Sequence, residues 1–267
     1  MYIYKKYLIK FNFFFTAIFL AGCQSITTLP DGQQSVMSAE LNSQRVSLKI
    51  NPIQHNQKLR YTPQKNCHYK ESRYTYSSNG AESYAINLTI KPIKEKYLVV
   101  IERNNSEKPS TALINPNGRI LDFNLADPSD GTRFTTENYK DTVSEKERQL
   151  KEKVGHMSTP KTIHFLNPIS VFMPEFINST HIIPNTIVAK VTSDDGSVWG
   201  NYVYQGVSIF NGKQVLVMDL KRKLETFPNK EPVIVGFNLM DVSTKLPIYT
   251  ALDSGSKIII EYINCND

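Results

Sequence analysis

Apolar and polar residues alternate with a period of two along residues 83–91, where Tyr84, Ile86, Leu88 and Ile90 fall between Ser83, Ala85, Asn87, Thr89 and Lys91. Successive side chains of an extended backbone point to opposite faces, so this alternation predicts a strand with one buried and one wet face. The run YLVVI at 97–101 is apolar throughout and predicts a more deeply buried strand. Residues 113–121 read as two strands around the turn Pro116-Asn117-Gly118. In the second half, GNYVYQGVSIF (200–210) runs into Asn211-Gly212 and then KQVLVMDL (213–220). Asn-Gly tolerates positive φ at both central turn positions, which predicts a type I′ hairpin. VIVGFNLMDV (233–242) and KIIIEYI (257–263) supply two further strands.

One helix interrupts this pattern, at 145–154. Ser144 and Glu147 form a capping box, Lys151 and Lys153 occupy the last turn, and Gly155 follows. Its only apolar anchors are Leu150 and Val154, so it reads as a surface helix between two β-meanders, about 67–125 and 160–265. The expected fold is mainly β: an antiparallel curved sheet, open barrel or sandwich, with one short surface helix. Residues 46–267 are expected to form a single β-rich domain.

The N-terminus follows other rules. Lys5, Lys6 and Lys10 precede an apolar run at 11–22 that holds no charge. Twelve residues are too few for a membrane-spanning helix, which needs about 20. A basic start, a short apolar segment and small residues at its end describe an export signal. The whole chain carries 31 basic and 25 acidic residues; without the three leader lysines the balance is 28 to 25, or +3. So small an excess gives no argument for nucleic acid.

The leader closes on Leu20-Ala21-Gly22-Cys23, which resembles the lipobox of bacterial lipoproteins. The resemblance covers residues 1–23. It implies that residues 1–22 are removed, that Cys23 is the lipid attachment site, and that the acylated cysteine ties the chain to a lipid bilayer. More than one acyl chain is needed for firm anchoring, at about 0.8 kcal/mol per buried methylene. Gln24 in place of aspartate implies the outer membrane in a Gram-negative host, with the domain facing the periplasm or the cell surface. The alternative is an ordinary secreted protein with a cysteine near its cut site. Residues 23–45, polar and broken by Pro30-Asp31-Gly32, read as a tether lifting the domain off the membrane.

With Cys23 assigned to lipid, Cys67 and Cys265 remain as an even pair in an oxidising compartment and are expected to form a disulfide. Two buried free thiols are the alternative. The bridge would place the strand ending at Cys265 beside the segment around Cys67, uniting the two meanders.

Catalytic signatures are sparse. Ser-x-x-Lys occurs at Ser158–Lys161 and Ser254–Lys257 without the accompanying elements of a Ser-Lys acylase. The five histidines (55, 68, 156, 164, 181) lie far apart, and no metal-ligand spacing or phosphate-binding loop is present. Asp194-Asp195-Gly196 and residues 127–131 lack the glutamate that completes a calcium loop and read as turns. No cofactor and no catalytic residue is assigned.

The least ordinary stretch is HFLNPISVFMPEFINSTHIIP at 164–184, where prolines 168, 174 and 184 break a densely apolar run. It reads either as an irregular connection buried in the core or as a ligand or partner surface carried by Phe165, Phe172, Met173 and Phe176. The function expected from these features is that of a lipid-anchored, non-enzymatic envelope protein binding a hydrophobic ligand or an envelope assembly partner. A structural or adhesion-type lipoprotein without a pocket is the alternative, and an anchored hydrolase a third.

Overall fold

Asn211 and Gly212 both adopt positive φ, 50° and 76°, at the tip of the predicted hairpin. The strands they join, residues 198–210 and 213–222, pair along nearly their whole length. The structure, a computed structural model, describes residues 26–63, 66–77, 80–103, 109–126, 133–138, 172–177, 180–192, 198–224, 231–253 and 256–265. In chain order these form β1 (Thr27–Thr28), β2 (Gln34–Ser35), α1 (Ala39–Ser47), β3 (Cys67–Ser77), β4 (Gly80–Ile93), β5 (Lys96–Arg103), β6 (Ser110–Ile114), β7 (Ile120–Ala126) and β8 (Arg133–Thr135). They continue with β9 (Glu175–Phe176), β10 (Ile187–Thr192), β11 (Val198–Phe210), β12 (Lys213–Arg222), β13 (Val233–Asp241), β14 (Pro247–Asp253) and β15 (Ser256–Cys265). The predicted helix at 145–154 lies outside the described residues.

The main path runs β8-β7-β6-β5-β4-β3-β15-β14-β13-β12-β11-β10-β9, all of it antiparallel. Each neighbour is also the next strand in sequence, save at β3–β15, where the first meander joins the last strand of the second. The ladder is open, with β8 and β9 at its ends. Cys265 stands opposite Cys67 across that junction, and the two sulfurs are bonded.

Apolar surface is buried on both faces. One cluster unites Val99, Ala112 and Ile114 of β5 and β6 with Val188, Tyr202 and Met218 of β10 to β12. Strands so far apart in the path share a cluster only if the sheet curves and they meet across its inner face. A second cluster, on the outer face, packs Val215, Val217, Phe237, Leu239 and Ala251 beneath Leu41 and Leu48.

Leu41 is the main apolar anchor of α1. Ser38 caps the helix by accepting from the Leu41 N–H at 3.3 Å. Arg45 reaches through to Asp219 of β12 with two hydrogen bonds, Nε to Oδ1 at 3.0 Å and Nη2 to Oδ2 at 2.9 Å, and touches Asp31 at 3.1 Å. The Asp219 carboxylate holds Arg45 above its usual range although burial opposes this. From residue 26 onward the expected tether is therefore corrected. Leu29, Met37 and Leu41 are buried, and β2 adds a short parallel contact, Ser35 opposite Ile234. A few apolar residues spaced in a polar background suffice because each enters a prepared site on the sheet.

Candidate functional site

The two limbs of the curved sheet meet at a seam made of three short segments. The β6–β7 turn is shaped by Asn115, whose Oδ1 accepts from the N–H groups of Asn117 and Arg119 at 3.0 Å each. Tyr61 leans on this turn, its N–H donating to the Pro116 carbonyl at 2.8 Å. From the other limb, the Phe176 N–H donates to the Asn117 carbonyl at 2.6 Å, while the Ile177 N–H binds the Val188 carbonyl of β10 at 2.9 Å. Residues 172–177 thus bridge the limbs.

Gly118 permits this closeness. Its φ of +88° suits glycine, and a Cβ there would overlap the Pro174 carbonyl oxygen and lie 2.9 Å from Tyr61 Cε2. Tyr61 Oη donates to that same carbonyl at 2.7 Å. Phe172, Met173 and Phe176 all turn inward, with 1%, 0% and 4% of their surface exposed. Phe172 meets Tyr69 edge-on at 4.8 Å between centroids, and Phe176 lies 4.7 Å from Tyr61. The segment is a plug of the inner face.

Beneath it the inner face is not uniformly apolar. Cross-strand register aligns Tyr204, Met218, Asn238 and Thr250 in one row over β11 to β14. Asn238 Nδ2 donates to Thr250 Oγ1 at 2.8 Å, whereas Asn238 Oδ1 and Tyr69 Oη have no hydrogen-bond partner among the described residues. Glu71, two residues from Tyr69 on the same face of β3, is buried as well. Burial raises the pKa of Tyr61, Tyr69 and Tyr202 above the ordinary phenol range, the first further by Tyr202 and Tyr69 and the second by Tyr262 and Asp241, while a hydrogen bond with Asn238 opposes the shift at Tyr202. These hydroxyls stay neutral at physiological pH and act as hydrogen-bonding groups, not as bases.

Of the residues singled out in the sequence, Phe172, Met173 and Phe176 come together at the seam, one strand-end from the Tyr69 ring. A partner could not touch them without first lifting the segment out. Cys67 and Cys265 sit at the β3–β15 junction, with Cys67 in the inner cluster and Cys265 packed against it. Cys23, Phe165, Ser158, Lys161 and Ser254 lie outside the described residues. His55 pairs by backbone with Ile182, His68 Nδ1 lies 3.3 Å from Thr89 Oγ1, and no group of three metal-ligating side chains occurs among the described residues. A separate open depression of about 280 Å³, lined by Gly32, Gln33, Gln34, Lys221, Glu231 and Pro232, is polar and shallow. Tyr61, Tyr69, Asn238 and Thr250 were not foreseen. The signal for the last two was a polar residue in the interior of an otherwise apolar run, Asn238 in VIVGFNLM and Thr250 in PIYTAL.

The sequence matches no known protein family and no curated protein. Among solved structures, a domain from Vibrio parahaemolyticus named for outer membrane lipoprotein sorting aligns over 76% of this chain and 85% of its own, at 8% identity and a TM-score of 0.29. A LolA superfamily protein from Nitrosomonas europaea aligns over 78% and 89%, at 13% identity and a TM-score of 0.27. A DUF1329 family protein from Desulfovibrio piger gives 75% and 84%, 9% and 0.27. Likeness at this level does not assign the chain to any of these groups.

Proposed function

We propose that this chain is a lipid-anchored cell-envelope protein that binds a hydrophobic ligand on the inner face of its curved sheet, without catalysing a reaction. The observation that carries the reading is the closure of that face. A shared apolar surface of both limbs is covered at the seam by a short segment, residues 172–177, whose only regular structure is the two-residue strand β9, so little backbone pairing holds it in place. The anchor is the acylated Cys23 implied by Leu20-Ala21-Gly22-Cys23, and Gln24 favours the outer membrane. An envelope assembly partner inserting an apolar segment at the seam is the protein version of the same chemistry.

A second reading, a structural or adhesion-type lipoprotein without a pocket, is favoured by one observation: Tyr61, Tyr69, Tyr202, Tyr204 and Phe172 already fill the inner face. Native mass spectrometry after incubation with lipid dispersed in water separates the two, since a chain leaving water gains enough to compete with the covering segment. Bound lipid is expected from the first reading, and its consistent absence selects the second. The anchor is tested independently: Cys23→Ala should release the protein from membranes, and continued tight association would overturn acylation.

A further inference from the structure

Resting on the lipid-anchored reading, we propose that the strand ends carrying Lys221, Arg222, Lys223 and Trp199 form a docking surface for an anionic bilayer, so that the domain rests on the membrane that holds Cys23. Little chain separates the two. Thr27 already belongs to β1, four residues after Cys23, and four residues span at most about 14 Å when fully extended. The acylated sulfur therefore lies within that distance of Thr27, whatever path the intervening chain takes.

Register identifies the surface brought near. Thr27 stands opposite Ser35, Ser35 opposite Ile234, Ile234 opposite Lys221 and Lys221 opposite Asn201, one row across β1, β2, β13, β12 and β11. Adjacent strands lie about 4.8 Å apart, so three steps put Lys221 about 14 Å from Thr27. Lys221 and Arg222 end β12, and Lys223 follows, exposed. Neither lysine makes an ion pair among the described residues. Arg222 stacks on the half-buried Trp199, its guanidinium carbon 4.7 Å from the ring centroid, and Val198 beside it is 55% exposed. An indole next to basic side chains suits the headgroup region, where the ring lies among the lipid heads and the cations meet phosphate. Glu231 is the acid lining the depression beside Lys221, and it leaves the three cations in excess; Asp31 is paired with Arg45. One acyl chain alone holds a protein only marginally, and a basic patch supplies a second attachment.

The test has two arms. The full chain carrying Cys23→Ala is mixed with vesicles of equal parts phosphatidylcholine and phosphatidylglycerol, and with vesicles of phosphatidylcholine alone. Weak binding to the anionic vesicles at low ionic strength is expected, reversed by salt and absent from the neutral ones. Each basic side chain at an anionic surface is worth about fivefold in affinity, so Lys221→Gln and Lys223→Gln together should weaken binding about 30-fold. The same changes at Lys94 and Lys96, exposed at the β4–β5 turn, should leave it unchanged. In the second arm the acylated parent is reconstituted in the anionic vesicles. Trp199, the only tryptophan, should be quenched by lipid carrying a nitroxide on its headgroup, and the double lysine variant should lose most of that quenching. An unquenched Trp199, or binding that the lysine changes leave unaltered, overturns the docking surface while acylation stands. Equal, salt-resistant binding to neutral vesicles overturns it too, because apolar insertion would then hold the domain. A parent whose mass shows no acyl chains would instead sink the anchored reading on which this rests.

Discussion

Removing the carboxylate of Asp219 should undo the docking of the N-terminal segment. The Arg45 and Asp219 side chains are 8% and 0% exposed and share two hydrogen bonds in bidentate geometry. Deleting one member of such a pair leaves an uncompensated buried charge, at about 3–5 kcal/mol. Asp219→Leu and Arg45→Met should each approach that loss. The double variant should lie within about 1–2 kcal/mol of the parent, because an apolar pair of similar volume replaces a buried ion pair at little net cost. Asp31→Asn is the control: that carboxylate is 37% exposed, so its pairing with Arg45 is worth less than about 1 kcal/mol. Trp199 is the only tryptophan, packs against the inner cluster and lies 4.7 Å from the Arg222 guanidinium, so its fluorescence reports unfolding in urea. With a urea slope of about 2–3 kcal/mol/M, each single variant should lower the midpoint by about 1–2 M. Single losses below about 1 kcal/mol, or a double variant as unstable as the two singles together, would refute the assignment of Arg45 as the lock of the N-terminal segment.

Other parts of the molecule are open to the same treatment. Gly118→Ala and Gly212→Ala both place a side chain at positive φ, but only the first meets neighbours; Gly118→Ala should exceed Gly212→Ala by about 1–3 kcal/mol in urea denaturation, and equal effects would remove the Pro174 contact from the account. Thiol alkylation under denaturing, non-reducing conditions should label neither Cys67 nor Cys265, and Cys265→Ser should cost about 2–5 kcal/mol; a freely labelled pair would show that the bridge is not formed. Burial, and then the charge of Lys245, lower the pKa of His55 in the fold. The stability it contributes is complete above the unfolded value of about 6.5 and is lost as pH falls through the folded one, so urea midpoints should decline below that pH and His55→Asn should flatten the decline. An unchanged slope in the variant would place the titration elsewhere.

Strands with their own pattern were legible from sequence. The alternation at 83–91 reappears in β4, where Ile86, Leu88 and Ile90 are buried and Asn87 and Lys91 exposed. The Asn211-Gly212 hairpin stands as read. β3 was not legible, because CHYKESRYTYS mixes charge with aromatics and gains its strand character from β15 and β4 on either side. α1 was missed for a related reason. Its stability comes from Leu41 in the outer cluster and from Arg45 paired with a residue 174 positions away, and no local window holds that information. At the seam, the apolar character of 172–176 was visible, but its destination was not. It is set by Gly118 and Tyr61, which approach from the opposite limb.

Under the proposed function, the filled inner face and the lipid anchor would bear on one another. An acylated protein sits beside a large store of acyl chains, and an open apolar face would take them up indiscriminately. Burial of Phe172, Met173 and Phe176 stabilises the plugged state by about 1.5–3 kcal/mol per side chain, or roughly 5–9 kcal/mol together. A twelve-carbon chain arriving from water gains roughly 9 kcal/mol at about 0.8 kcal/mol per methylene, which nearly balances the plug. The same chain arriving from a bilayer gains almost nothing, since it leaves one apolar medium for another. Under the proposed function, bilayer lipid alone would therefore not displace residues 172–177, and the plugged state is the expected resting form of the anchored protein.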